Sequence, residues 1–291
     1  MVFTLARLAR VRVTVMYAGA LLAVTIFMLV LGPDLQDRVI RRASTNLYNF
    51  GQGHIGTLLD SAFVVDAGPI YVWLPGLVCL LAICETIFCS TRLILAFAVG
   101  HIGATLLVAA GLTVALRSEL LSTAVTRATD VGMSYGAVGV LGGLTTAIPR
   151  RWRPAWVGWW VGVAVAAAVI ARDFTEIGHA VALVLGMAVS TRFGEPGPWT
   201  PFRYALLGVA AAFGFLVLTN GVLPALVTGT ALGVFGALMC MRVARRRHVR
   251  RSLATATVAV DQRNSSALAS IQSDSHSAGG SSRSSPGISQ S

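Results

Sequence analysis

Residues Gly132 to Gly136 read Gly-Met-Ser-Tyr-Gly, a Gly-x-Ser-x-Gly pattern. In many hydrolases that pattern presents a serine nucleophile on a sharp turn. A serine hydroxyl becomes nucleophilic only when a neighbouring base takes its proton. Ser134 therefore needs a partner, and the chemistry of the pair would be acyl transfer. The strand-to-helix turn of soluble hydrolases does not fit here, because a long apolar run follows. A second reading needs no chemistry. Gly132, Gly136, Gly139 and Gly143 recur at helical spacing, which makes a small-residue face for helix packing. On the motif alone both readings stay open.

His179 is the candidate base. It lies in EIGHAVALVLGMAVS, Glu176 to Ser190, and ionisable groups inside apolar helices are costly and tend to be functional. Ala182, Gly186 and Ser190 follow on its face at helical spacing, so another helix can approach closely. His101 and Glu85 also fall inside apolar runs and are expected to serve packing or hydrogen bonding. His54 is expected in solvent or at an interface. Asp130, Asp173 and Glu176 stand near helix starts, where carboxylates cap free N–H groups. Cys79, Cys84, Cys89 and Cys240 show no metal-ligand spacing and are expected to be buried thiols. No cofactor and no metal is called for.

The elements that must position these groups are membrane helices. The chain has 291 residues, 55% hydrophobic and 12% charged, about half the charge of a soluble domain. An all-α, polytopic transmembrane bundle is expected. Eight spans are predicted, at 11–32, 69–90, 92–116, 131–148, 154–171, 175–190, 204–219 and 221–241. The sixth and seventh are short. The first is read as an uncleaved span rather than a signal peptide, and Asn220-Gly221 as the turn between the last two.

All 23 basic residues are arginine, an expected mark of a high-GC genome. With the N-terminus inside, 15 arginines flank inner span ends and six flank outer ones, which predicts N-in and C-in topology in a bacterial cell membrane. Residues 33–68 form a long outer loop with partly amphipathic pieces. Residues 242–251 form a basic collar suited to anionic lipid at the inner face. The last 40 residues hold 13 serines and are expected to be disordered. The net charge of +11 does not point to nucleic acid, since the arginines cluster at span ends.

Order and direction then pair the two candidates. The fourth and sixth spans run the same way, and Ser134 and His179 each lie about 5–6 Å below the helix start at about 1.5 Å per residue. A serine in a Gly-x-Ser motif near the outer end of span 4, a histidine near the outer end of span 6 and a long loop after span 1 resemble the rhomboid intramembrane serine proteases, in divergent form. The resemblance covers residues 11–190, a six-span core. It includes Thr57 to Gly68 before the second span, Gly142 eight positions after the serine, and Ala182 and Gly186 after the histidine. It implies Ser134 as nucleophile and His179 as general base, a dyad with no acidic third member.

The chain departs from the family pattern in three places. Tyr135 follows the serine where glycine is usual. Tyr71 and Pro75 replace a His-x3-Asn pair that helps bind the oxyanion, and Val138 replaces an aromatic ring one turn below the serine. The division expected is 1–10 as an inner N-terminus, 11–190 as core, 191–241 as two added spans, and 242–291 as collar and tail. Three functions follow: a serine peptidase cleaving transmembrane substrates near the outer face, a non-proteolytic relative binding membrane-protein clients, and a small-solute transporter using His101 and Glu85. The partners implied are the bilayer and transmembrane proteins.

Overall fold

The computed structural model describes residues 9–54, 56–64, 70–119 and 132–247. Asp130, the start of the second predicted span and the serine-rich tail lie outside the described residues. Residues 1–241 form one compact unit; residues 242–291 form a second, of which the end of one helix is described.

The described regular structure is helical. Helix α1 is Arg12–Leu31, and α2 is Pro33–Ala43. The short α3 (Leu47–Gly51) and α4 (Thr57–Asp60) follow within the long loop. Next come α5 (Ile70–Phe88), α6 (Ser90–Arg117) and α7 (Ser134–Gly143). The series ends with α8 (Arg153–Ala171), α9 (Phe174–Ser190), α10 (Pro201–Thr219) and α11 (Leu223–Arg247). Helices α1, α6, α8, α10 and α11 are long and apolar enough to cross a bilayer, and α5 and α9 are shorter apolar helices. Large apolar side chains such as Met16, Leu29, Val30 and Leu223 face outward, as lipid contact allows. This is a multi-pass helical bundle.

The helices differ from the hydropathy reading in three places. The fourth helix is shorter than expected: after Gly143 the chain tightens into a 3₁₀ turn, Leu144–Thr146, although its residues are still apolar. The seventh is longer. Thr200 accepts from the Arg203 N–H and Pro201 takes the first helical position, so α10 begins before the apolar run does. The third is one continuous helix containing a π-turn at Val99–Gly103. The amphipathic character read in the loop is real for α2, whose Val39 and Ile40 pack with Met28, Ala43 and Val64.

Helix α7 is the centre of the bundle, and every residue from Tyr135 to Gly143 is buried. Glycines at its contacts let three neighbours approach. A methyl on Gly139 would stand 2.6 Å from the Gly100 Cα of α6. A methyl on Gly142 would stand 2.3 Å from the Leu183 carbonyl oxygen of α9. Leu141 packs on Gly214 of α10. Of the glycine stripe, Gly136, Gly139 and Gly143 lie on a packing face against α6, and Gly132, with nothing within 4 Å, does not. Tyr135 lies against Gly178 and Gly142 against Leu183, so α7 and α9 run parallel.

Helix α10 lies against α5, with Phe213 over Gly76, and also meets α7 and α8. Helix α11 packs on α8 through glycines: a methyl on Gly158 would stand 2.2 Å from the Gly236 carbonyl oxygen. At the end of the bundle opposite Ser134, side chains satisfy carbonyls that helix ends leave free. Arg153 donates to the Ile148 carbonyl, and Trp199 Nε1 to the Ala147 carbonyl at 3.0 Å. Arg203 donates to the carbonyls of Thr86 and Pro198. Arg153 and Arg203, read from the sequence as topology markers, thus also cap helix C-termini, where cations are favoured.

Several expectations about single residues can be placed. Asp173 caps α9, accepting from the Thr175 N–H at 2.5 Å. His54 is exposed. Trp152 is half exposed beneath the Arg151 guanidinium, while Trp160 is fully buried. All four cysteines are free thiols. Cys84 alone is buried; Cys89 is exposed at the break between α5 and α6, where φ is 119°, and Cys79 and Cys240 are half-buried. The expectation of four buried thiols fails because the bundle's outer surface is itself apolar.

Candidate functional site

Ser134 opens α7 and is half-buried. The chain enters it through Gly132, whose φ of +123° is a conformation glycine tolerates and other residues rarely adopt. The Gly132 N–H donates to the Ser61 carbonyl at 2.8 Å, so the long loop holds the approach to the serine. Gly132→Ala meets no atom within 4 Å, so its cost is conformational. About 1–2 kcal/mol of destabilisation is expected, checked as a fall in thermal midpoint in detergent.

The loop is itself anchored from two sides. Tyr17 of α1 donates to the Ala62 carbonyl at 2.6 Å. His101 Nε2 lies 3.0 Å from the Leu58 carbonyl oxygen and 3.2 Å from Ser61 Oγ. The π-turn aims His101 at this loop; π-turns often sit where a helix has a special task. His101 thus supports the serine's approach, as the hydrogen-bonding expectation held.

Glu85 has a separate task near the other end of α5. Its carboxylate accepts from the N–H groups of Val13 and Thr14 at 3.0 and 2.9 Å, and from the hydroxyls of Thr14 and Ser90 at 2.7 Å each. It caps the first turn of α1 from across the bundle, where free N–H groups and the helix dipole favour an anion. Glu85 and His101 share no hydrogen-bond partner, so the transporter reading, which joins them at the bundle centre, gains no support.

His179 sits one turn into α9 and is 2% exposed. Its Nδ1 lies 3.3 Å from Glu176 Oε2. Glu176, 1% exposed, is three residues earlier on the same helix face. The other carboxylate oxygen accepts from Asn220 Nδ2 at 2.7 Å. Glu176 is therefore not a helix cap, as its position in the first turn suggested. It is a buried carboxylate held between an imidazole and an amide.

The ring's second nitrogen, Nε2, is buried and has no hydrogen-bond partner. The Tyr135 ring meets the imidazole edge to face, with centroids 5.2 Å apart. No hydrogen bond joins Ser134 to His179. Ser134 lies about 100° round α7 from Tyr135, on the stripe that continues through Val138 to Leu141. Tyr135 of α7 touches the imidazole. The structure thus brings Ser134 and His179 to the same end of two adjacent parallel helices, with His179 paired to Glu176.

An apolar cavity of about 200 Å³ opens between α1, the long loop and α6. Tyr17, Phe63, Phe97 and His101 help line it, and neither Ser134 nor His179 does. It is not the place where the candidate chemistry lies.

The family model for rhomboid-like proteins matches residues 7–193. The chain belongs to the rhomboid-like family. No curated protein and no solved structure matches it at a significant level. The family segment of this rhomboid-like protein contains Ser134, Glu176 and His179 and ends before α10. Asn220, which binds Glu176, lies beyond it. Reading from the sequence missed Glu176 and Asn220 as site residues. The signal for Glu176 was its spacing of three from a buried histidine; nothing local marked Asn220.

Proposed function

We propose that this rhomboid-like protein is an intramembrane serine peptidase that cleaves transmembrane substrates near the outer face of the membrane. The observation that carries the reading is the state of His179. One ring nitrogen is tied to a buried carboxylate while the other is buried and unused. A nitrogen so placed is costly unless something is to be bound there. A general base needs its lone pair free towards the nucleophile and its other nitrogen oriented.

In this reading Ser134 Oγ gives its proton to His179 Nε2 and attacks the scissile carbonyl carbon. The oxyanion is met by backbone N–H groups at the start of α7, which have no partner within the helix. The imidazolium then protonates the leaving amine as the C–N bond breaks. Water hydrolyses the acyl-enzyme by the same route reversed. Ser134 and His179 must draw together when substrate binds, since free enzymes often hold such pairs apart. The substrates are transmembrane helices that reach the site from lipid.

A fluorophosphonate probe tests this on the full chain in detergent. Wild-type protein is expected to label at Ser134, and Ser134→Ala and His179→Ala to lose labelling. Wild-type protein that stays unlabelled under conditions that label an active rhomboid protease rejects the peptidase reading.

A second reading is favoured by Tyr135. Its ring occupies the face of α7 that meets the imidazole, and glycine is usual at this position in rhomboid proteases. A non-proteolytic protein that binds membrane-protein clients would retain the frame without turnover. Under that reading Ser134→Ala leaves the cellular phenotype intact.

A further inference from the structure

We infer that Glu176 and Asn220 are positioning residues for His179, so that the catalytic unit is a serine, a histidine and a carboxylate, the last held by a helix outside the family core. The catalytic consequence rests on the peptidase reading; the arrangement itself does not.

The argument starts from donors and acceptors. An ionised carboxylate only accepts, and it can serve two donors at once. Asn220 Nδ2 donates to one oxygen at 2.7 Å, and the other lies 3.3 Å from His179 Nδ1. That places the histidine proton on Nδ1 and the lone pair on Nε2. Only this tautomer can accept a proton from Ser134. A lone buried histidine has no such preference and settles wherever its neighbours put it.

Asn220 reaches the carboxylate because of the turn that ends α10. Its φ of 48° is left-handed, a conformation asparagine tolerates better than most residues, and Gly221 follows at φ 64°. The α10–α11 turn therefore directs an amide at the site. Residues read from the sequence only as a turn between added spans become part of the machinery that orients the base.

The test uses full-length protein in detergent micelles with ¹⁵N-labelled histidine. Two-bond ¹H–¹⁵N spectra report which ring nitrogen carries the proton, and His179→Gln assigns the signal. Wild type is expected to show His179 protonated at Nδ1. Glu176→Gln offers one oxygen and one amide to two donors. With Asn220 holding the oxygen, the amide faces Nδ1, and the population moves to the Nε2–H form. Asn220→Ala removes the bond that holds the carboxylate in place, so Glu176 is free to leave Nδ1; the population is expected to move part of the way, which keeps the proposal testable if the glutamine variant does not fold.

Fluorophosphonate labelling at Ser134 should fall by about 10²–10⁴-fold in Glu176→Gln, since a triad histidine left in the wrong tautomer costs up to about 10⁴ in turnover. Glu176→Asp, which keeps the charge, should recover part of it. A wild-type tautomer in Glu176→Gln overturns the role of Glu176, and a wild-type tautomer in Asn220→Ala overturns that of Asn220. If the wild-type protein does not label, the peptidase reading falls and the tautomer measurement still decides the arrangement.

Discussion

Gly186→Ala should break the contact between α7 and α9 and cost about 3 kcal/mol, at the upper end of what overpacking a core usually costs. A methyl there would stand 2.0 Å from the Gly139 carbonyl oxygen. The oxygen is backbone and the methyl is fixed to backbone, so no side chain can swing aside. Relief requires α7 and α9 to separate, and Ser134 and His179 ride on these two helices. The variant should therefore lose both its unfolding midpoint in mixed detergent–SDS micelles and its probe labelling. Gly208→Ala is the control. It is also a helical glycine, with nothing within 4 Å of the added methyl, and should be neutral or slightly stabilising. Equal losses in the two variants would show that the close crossing is not what matters.

Removal of the Glu85 carboxylate should be nearly as damaging. Glu85→Ala leaves the N–H groups of Val13 and Thr14 and the hydroxyls of Thr14 and Ser90 without their acceptor. Each buried polar group left unsatisfied costs about 1–3 kcal/mol; with Thr14 1% exposed, a total of about 2–4 kcal/mol is expected. Glu85→Gln keeps one oxygen and should lose about half as much. The damage should appear first in α1, as faster proteolysis of the Arg10 and Arg12 peptide bonds in detergent. A stable Glu85→Ala variant with unchanged cleavage would mean that α1 is not held by this cap.

Hydropathy marked all five helices that are long and apolar enough to cross a bilayer, because crossing lipid demands long apolar runs whatever the tertiary structure. It placed helix ends poorly where backbone detail decides. Leu144 to Ile148 look like more of α7, yet they leave the α-helical path. Arg203 hid the start of α10, which Thr200 and Pro201 mark by capping rather than by hydropathy. The π-turn in α6 left no trace in the apolar pattern, since it changes hydrogen bonding and not polarity.

The candidate site divides in the same way. That Ser134 and His179 stand at the same end of neighbouring helices was legible because helix order and direction set their depth. The contact between Tyr135 and His179 was not, since it depends on the rotation of α7, which a helical run with glycines on several faces leaves undetermined. The link from Glu176 to Asn220 joins residues 44 apart in sequence and forms only because α10 returns to the same end of the bundle. No local pattern encodes such a return.

The placement of α10 has a consequence for how the molecule is made. The chain is synthesised from its N-terminus, so α1 to α9 are complete before α10 follows. Until then Gly76 of α5 and Leu141 of α7 lack the cover that Phe213 and Gly214 give them, and Glu176 lacks Asn220. Helix α10 and the turn after it, made later than the family core, thus complete the wall and fix the histidine's carboxylate. A ribosome that has reached residue 193 has made the whole family segment, but the arrangement around His179 is finished only once residue 220 has entered the bilayer.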